Sequence, residues 1–466
     1  MQPFWKEIRP TLALAVPMII GQLGQMLMPL IDAAMVGRLG VTPLAAVAFG
    51  NLVVWIPMIA GFGICVSVHV LVASAHSAND HEEAGEVLRH GLGMSAAYGI
   101  ACSLVLQLSL NLLDFIPRVA PDVIAASKPF IALVGWSIVP VLTYTTVKNY
   151  CEARNRPWLP LVVLCGSVAL NVLLNWVFIY GHCGFSPMGV SGAGLATLIS
   201  RSAAFFVLLL IVQRSPSLRA RWPRGVLARP TFERLARMLA LGGPSAGQIL
   251  FEVGVFNLVT LLAGMMSKVV LDAHQIALNI AAVAFMVPLG LSQATGIRVS
   301  QAMGLKQYAQ ARRIGWNSLA CSSVFMALYA GFILLTRQAL PHLFLRADAP
   351  GAESVLALSS KLLLWAAGFA VFDGAQIVSL GILRAVHDVR VPTVISFTGY
   401  WLIAAPLAWY FGMRQGLGGP GLWGGVSVGV FTVAVLLVGR FAAVSRRFER
   451  RESLAKTTGE GIVIKE

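Results

Sequence analysis

The sequence predicts an all-α polytopic membrane protein with twelve transmembrane helices in two pseudo-symmetric six-helix lobes. Three observations predict it. The 466-residue chain is 57% hydrophobic and only 12% charged, about half the charged fraction usual for soluble domains. A soluble protein this apolar would expose large sticky patches. The apolar runs are continuous for about 20 residues or more, the length that crosses a bilayer core as helix, and lack the alternation of barrel strands. Finally, the two halves of the chain match each other.

The spans follow in order. The first, 11–36, comes after a start that lacks a small-residue cleavage site, so it is expected to be a retained helix and not a signal peptide. Next come 43–74, 88–114, 122–149, 157–182 and 190–213, completing an N-lobe over 1–213. A basic linker, 214–232 (RSPSLRARWPRGVLARPTF), is expected in the cytoplasm. The C-lobe over 233–444 holds 233–264, 270–301, 312–335, 355–384, 390–412 and 419–444, and a cytoplasmic tail follows from 445 to 466. Several spans exceed the minimum length, which allows tilt. Pro17, Pro29 and Pro244 are expected to bend the first and seventh.

Charge orients these spans. With the N-terminus inside, the cytoplasmic segments hold 26 basic residues, Arg384 at the end of the tenth span among them, and the outer ones 8, while Arg201 falls within a span. That asymmetry predicts both termini in the cytoplasm. The net charge of +15 therefore reads as topology signals in short loops and not as a nucleic-acid surface. The six cysteines include no CxxC and the eight histidines no HExxH, so no resident metal or cofactor is expected. No paired-aspartate or Ser/His arrangement in the spans suggests an enzyme. GLGGPG (416–421) fits a dinucleotide fingerprint but has no strand before it, and GVSGAG occupies the matching place in the first half. It is expected to open the last helix.

The repeat is visible in detail. LAVP (14–17) parallels LGGP (241–244), AAVAFGN (45–51) parallels AHQIALN (273–279), LNW (174–176) parallels LAW (407–409), and GAGL (192–195) parallels GPGL (419–422). Offsets run from 227 to 233. An even number of spans per half keeps the orientation, so the repeat is parallel, about an axis along the membrane normal. A cavity is expected between such lobes.

Three carboxylates lie inside the spans: Asp32 in LIDAAMVG, Glu252 in LFEVGVF and Asp373 in VFDGAQIV. Their counterparts in the other half are Val259, Gln25 and Thr143. The scaffold is duplicated and the acids are not, as a site would be. Each charge costs about 2.5–3.5 kcal/mol at mid-membrane on insertion scales, and basic partners within the spans are few, chiefly Arg201 and, at an outer end, Lys361. Such acids suit exchange of protons or Na⁺. Asn171 and Asn175 share one face of the fifth span, Thr197 lies on the sixth, and Gln275 and Asn279 stand four apart beside His274 on the eighth. Gln25, His274, Gln275 and Asn279 are expected along a substrate pathway. Asp32, Asn171, Asn175, Thr197, Glu252 and Asp373 are expected to bind the coupling cation or proton, with Na⁺ possible at Glu252 and Asp373.

At these residues the chain resembles the multidrug and toxic compound extrusion (MATE) transporters, most closely their bacterial NorM branch. PLIDAAMVG, LNVLLNWVFIYG, LFEVGVF, AHQIALN, VFDGAQIV and GILRAVHD carry the likeness. The resemblance implies alternating access in a bacterial inner membrane. It also implies export of cationic or lipophilic drugs and dyes against Na⁺ or H⁺, by a monomer with no nucleic-acid partner. Asp32 matches the family's first-helix acid, Asn171 and Asn175 its fifth-helix polar pair, and Glu252 and Asp373 its C-lobe acids. Two departures stand out: Asn175 where some members carry Asp, and Phe369 where NorM-like proteins can carry Tyr. The alternative is a flippase for a lipid-linked saccharide, which would favour a cavity lined by several basic residues.

Overall fold

The computed structural model describes residues 4–115, 119–218, 231–345 and 351–457. Most of the basic linker, the end of the tail, and the outer residues Arg118 and Arg346 lie outside these. Among the described residues, twelve helices are long and apolar enough to cross a membrane. They are α1 (Phe4–Gly37), α2 (Val41–Ser77), α3 (His81–Phe115), α4 (Pro121–Ala153), α5 (Trp158–Tyr180), α6 (Val190–Arg214), α7 (Phe232–Met266), α8 (Lys268–Gly304), α9 (Tyr308–Thr336), α10 (Ala352–Ala385), α11 (Arg390–Arg414) and α12 (Gly418–Phe448). Each falls on an expected span, and no strand occurs among the described residues. Helix pairs the backbone groups within each segment, as a lipid surrounding that offers them no partners requires.

Local signals set the helix ends. Asp80 caps α3 by accepting the Glu83 N–H at 2.9 Å, and Ser267 caps α8 by accepting that of Val270 at 3.2 Å. Asn79, Asn155, Lys306 and His387 all take left-handed backbone angles, near +60° in φ. They close the short links after α2, α4, α8 and α10, so the same turn geometry recurs in both halves. α4 breaks at Ser137. α11 contains two wide, π-helical stretches, Thr398–Ala404 and Tyr410–Arg414.

Contacts divide the chain into two compact units. One holds Ile20–Ala246; the other holds the residues up to Ile19 together with those from Gly247 onward. The chain therefore passes between units inside α1 and inside α7, at positions 227 residues apart. Within the first unit, Gly63 of α2 lies so close to Ala246 of α7 that an added Cβ would sit 2.2 Å from its Cα. Within the second unit the repeat-related pair does the same: a Cβ on Gly290 of α8 would sit 2.9 Å from the Ile19 nitrogen of α1. Only glycine permits these crossings.

Ion pairs follow the repeat too, with their signs exchanged. In the first unit Arg234 of α7 bonds Glu83 at 2.8 Å and Glu86 of α3 at 3.3 Å. In the second, Glu7 of α1 meets Arg313 of α9 at 3.4 Å. Glu7 matches Arg234 and Arg313 matches Glu86 at an offset of 227. Such partly exposed pairs add at most about 1 kcal/mol each, so their recurrence marks register more than stability.

One alignment is corrected. Gly192 at the start of α6 packs on the Phe178 carbonyl, and Gly421 at the start of α12 packs on that of Phe411. The repeat registers there at 229 residues, because helix contact and not the GAGL/GPGL string sets the match. GLGGPG opens α12 as expected, with Gly416 and Gly418 at positive φ.

Gly63→Ala should destabilise the protein by about 1–3 kcal/mol through overpacking, read as a fall in melting temperature in detergent. Gly21→Ala, where a Cβ meets nothing within 4 Å, should leave the melting temperature close to wild type.

Candidate functional site

The structure gathers the candidate residues into two clusters, one in each unit. In the first unit α1, α5 and α6 bring Asp32, Asn171, Asn175 and Thr197 together, all nearly inaccessible to solvent. Asn175 Nδ2 donates to Asp32 Oδ1 at 2.7 Å and to Asn171 Oδ1 at 3.2 Å. Asn171 Nδ2 donates to Thr197 Oγ1 at 3.4 Å, and the Thr197 hydroxyl donates to Asp32 Oδ2 at 2.8 Å. The four side chains close a ring. Spacing explains it: Asn171 and Asn175 are one helical turn apart and reach one face. The Asn175 Oδ1 is buried with no partner, leaving a hard oxygen beside a carboxylate. Pro29 lacks an N–H, so the Gln25 carbonyl four residues earlier has no helical partner from it.

In the second unit α7, α10 and α11 bring Glu252 and Asp373 together around Gln376. The Gln376 amide nitrogen lies 3.1 Å from Glu252 Oε1, 3.1 Å from Asp373 Oδ1 and 2.5 Å from Tyr400 Oη. An amide nitrogen carries two hydrogens, so three acceptors compete for them. The Gln376 Oε1 is buried without a partner. The cluster has more acceptors than protons, the condition in which a further proton or cation is held well. Glu252 is half-buried and Asp373 buried, both aimed at protein. Gln376 and Tyr400 escaped the sequence reading. The sequence offers only a weak hint, a Gln three residues after an Asp; Tyr400 stands out only in the structure, in a π-helical stretch of a kind frequent at functional sites.

The remaining candidates separate. His274 is buried: the Trp423 indole N–H donates to its Nδ1 at 3.1 Å, and its Nε2 lies 2.9 Å from Thr260 Oγ1. Gln275 and Asn279 are exposed, and Asn279 bonds the Gln275 carbonyl of its own helix at 2.9 Å. Gln25 is half-buried. Phe369 packs against Trp423 with ring centroids 5.9 Å apart.

The basic partners differ from expectation. Lys361 is exposed. Arg201 stands one turn from Thr197 and donates to Ser137 Oγ at 2.7 Å. Arg384, which the sequence reading places among the loop bases, is buried inside α10 and donates through Nε to Gln248 Oε1 at 2.9 Å. A hydropathy pattern cannot reveal that packing buries a helix-end arginine. Among the described residues no group of three or more His, Cys, Asp or Glu side chains forms a multivalent metal site.

A family model described as MatE matches residues 17–177 and 244–410. The chain belongs to the MatE family. The matched stretches begin 227 residues apart and end 233 apart, so the family pattern falls once on each repeat. A probable multidrug resistance protein NorM of Mesorhizobium japonicum is 35% identical over 94% of each chain. One of Bradyrhizobium diazoefficiens is 34% identical over 95% of this chain and 94% of its own. The fold matches the crystal structure of the eukaryotic MATE transporter AtDTX14 (TM-score 0.85, 21% identity, 96% of this chain and 99% of that one). It also matches a MATE crystal structure in the bent conformation (TM-score 0.86, 17% identity, 97% and 100%). MATE proteins are transporters, and this chain is a multi-pass membrane transporter, not an enzyme.

Asn175→Leu removes a donor that Asp32 and Asn171 share. It should cost about 1–3 kcal/mol, seen as a lower melting temperature, while Asn279→Leu at an exposed position should change it little.

Proposed function

We propose that the protein is a secondary active multidrug exporter that exchanges cationic or lipophilic compounds for Na⁺ or H⁺ by alternating access. The observation that carries this reading is the pair of buried acid clusters, each built from neutral hydrogen-bonding side chains around one or two carboxylates. A carboxylate whose direct partners are all neutral attracts a cation. A drug cation and a coupling ion then compete for the same negative charge, and exchange follows where the two accessible states differ in affinity. The NorM relatives named for multidrug resistance support the substrate class.

In this reading Asp32, Asn171, Asn175 and Thr197 take one coupling ion, and Glu252, Asp373, Gln376 and Tyr400 take a second or release the drug. Gln25, Gln275 and Asn279 line the substrate's route, while His274 is held by Thr260 and Trp423. The duplicated halves are 1–213 and 233–444 in sequence, joined by 214–232, although by contacts the start of α1 groups with the second unit and the start of α7 with the first. The protein works as a monomer in a bacterial inner membrane with both termini in the cytoplasm, as the distribution of basic residues favours.

The test is efflux of a fluorescent lipophilic cation by cells expressing the amide variants Asp32→Asn, Glu252→Gln and Asp373→Asn at matched protein levels. Each should reduce the efflux rate at least about tenfold, because each nearly keeps the side chain's shape while deleting the charge. Wild-type efflux in all three would remove the reading.

A further inference from the structure

We propose that Arg384 is a tethered counter-cation for Glu252 that sets how tightly the second unit's cluster holds its coupling ion. The proposal rests on the reading that Glu252 binds that ion. Helices α7 and α10 are joined by two successive rungs. In one, Gln376 bonds Glu252 at 3.1 Å; in the other, one turn away along α7, Arg384 bonds Gln248 at 2.9 Å. Gln248 is itself anchored, donating to Thr393 Oγ1 at 3.0 Å and to the Val389 carbonyl at 3.2 Å.

Arg384 is only 8% exposed, and its Nη2 is buried without a hydrogen-bond partner. A guanidinium taken out of water and given only a neutral amide is poorly compensated. The acid within its electrostatic range is Glu252. The other ionisable groups facing this cluster are Asp373 from α10 and Tyr400 from α11, with Tyr329 of α9 beside Asp373. None of these supplies a positive charge. Arg384 is therefore the internal cation that can compete with an incoming one.

The repeat strengthens the assignment. The positions matching Gln248 and Glu252 are Gly21 and Gln25, so tether and acid occur together in one half and are both missing from the other. The first unit reaches a similar arrangement by different residues. Arg201, one turn from the Thr197 that bonds Asp32, rests on the neutral Ser137 hydroxyl at 2.7 Å. Each cluster thus has one arginine parked on a neutral acceptor near its carboxylate.

The device works by charge. While an ion neutralises Glu252, the guanidinium rests on Gln248. As the ion leaves, Nη2 takes the bare carboxylate, which lowers the cost of release. Arginine suits this role because it stays protonated in the membrane and presents several donors in one plane.

The experiment reconstitutes the full-length protein in proteoliposomes and records efflux of a fluorescent lipophilic cation across a range of pH and of Na⁺ concentration. Arg384→Gln should hold the ion more tightly. The ion concentration for half-maximal effect should fall about tenfold or more, which for protons moves the pH midpoint up by about one unit. Arg384→Lys should stay near wild type. Gln248→Leu, which frees the guanidinium, should move the midpoint the opposite way. Glu252→Gln should lose the ion dependence of this cluster, and adding Arg384→Gln to it should change nothing further. An unchanged midpoint in folded Arg384→Gln, beside a Glu252→Gln variant that has lost its dependence, overturns the inference and leaves the proposed function standing. Should Arg384→Gln not fold, an unchanged midpoint in Gln248→Leu overturns it equally. Wild-type ion dependence in Glu252→Gln would instead sink the reading of Glu252 itself.

Discussion

A carboxylate inside an apolar protein must be neutralised or richly hydrogen-bonded, and that constraint organises this molecule. Asp32 meets it through a closed ring of three neutral side chains from two other helices. Glu252 and Asp373 meet it by sharing one glutamine amide that cannot satisfy every oxygen around it. The first arrangement is complete except for one amide oxygen. The second is short of protons. Both leave room for the charge of a small cation, and neither uses an arginine as its direct partner.

The scaffold around these acids is duplicated with some fidelity. Glycine crossings recur at Gly63 and Gly290, left-handed links close equivalent helices, and an ion pair survives with its signs exchanged between Arg234–Glu86 and Glu7–Arg313. Sign exchange is informative because packing and attraction persist while neither residue is retained. The clusters, by contrast, do not repeat: Asp32 faces Val259 across the alignment, and Glu252 faces Gln25. Packing constrains both halves alike, whereas the buried carboxylates and their partners are particular to each.

The twelve spans were legible because bilayer thickness writes itself into the length of apolar runs. The acids were legible because charge there is costly, and Asn171 with Asn175 because helical spacing brings them to one face. Their partners were not legible. Apart from the Gln376–Asp373 bond, Gln376, Tyr400, Gln248 and Arg384 matter through contacts between residues 24 to 145 positions apart, and no local pattern encodes such pairings. Arg384 was misplaced for a related reason. A basic residue at a helix end reads as a topology signal until packing shows it covered. His274, Gln275 and Asn279 share a helix but not a face, and the four-residue spacing of the amides conceals that the histidine belongs to Thr260 and Trp423.

The central claim is that buried carboxylates couple drug export to an inward cation. Its most direct test is uphill movement of a fluorescent cationic dye in proteoliposomes holding the wild-type protein, with Na⁺ and pH gradients imposed separately and the membrane potential clamped. The account predicts dye accumulation against its gradient under at least one of the two, collapsing when that gradient is dissipated. Dye movement that ignores both gradients would contradict it.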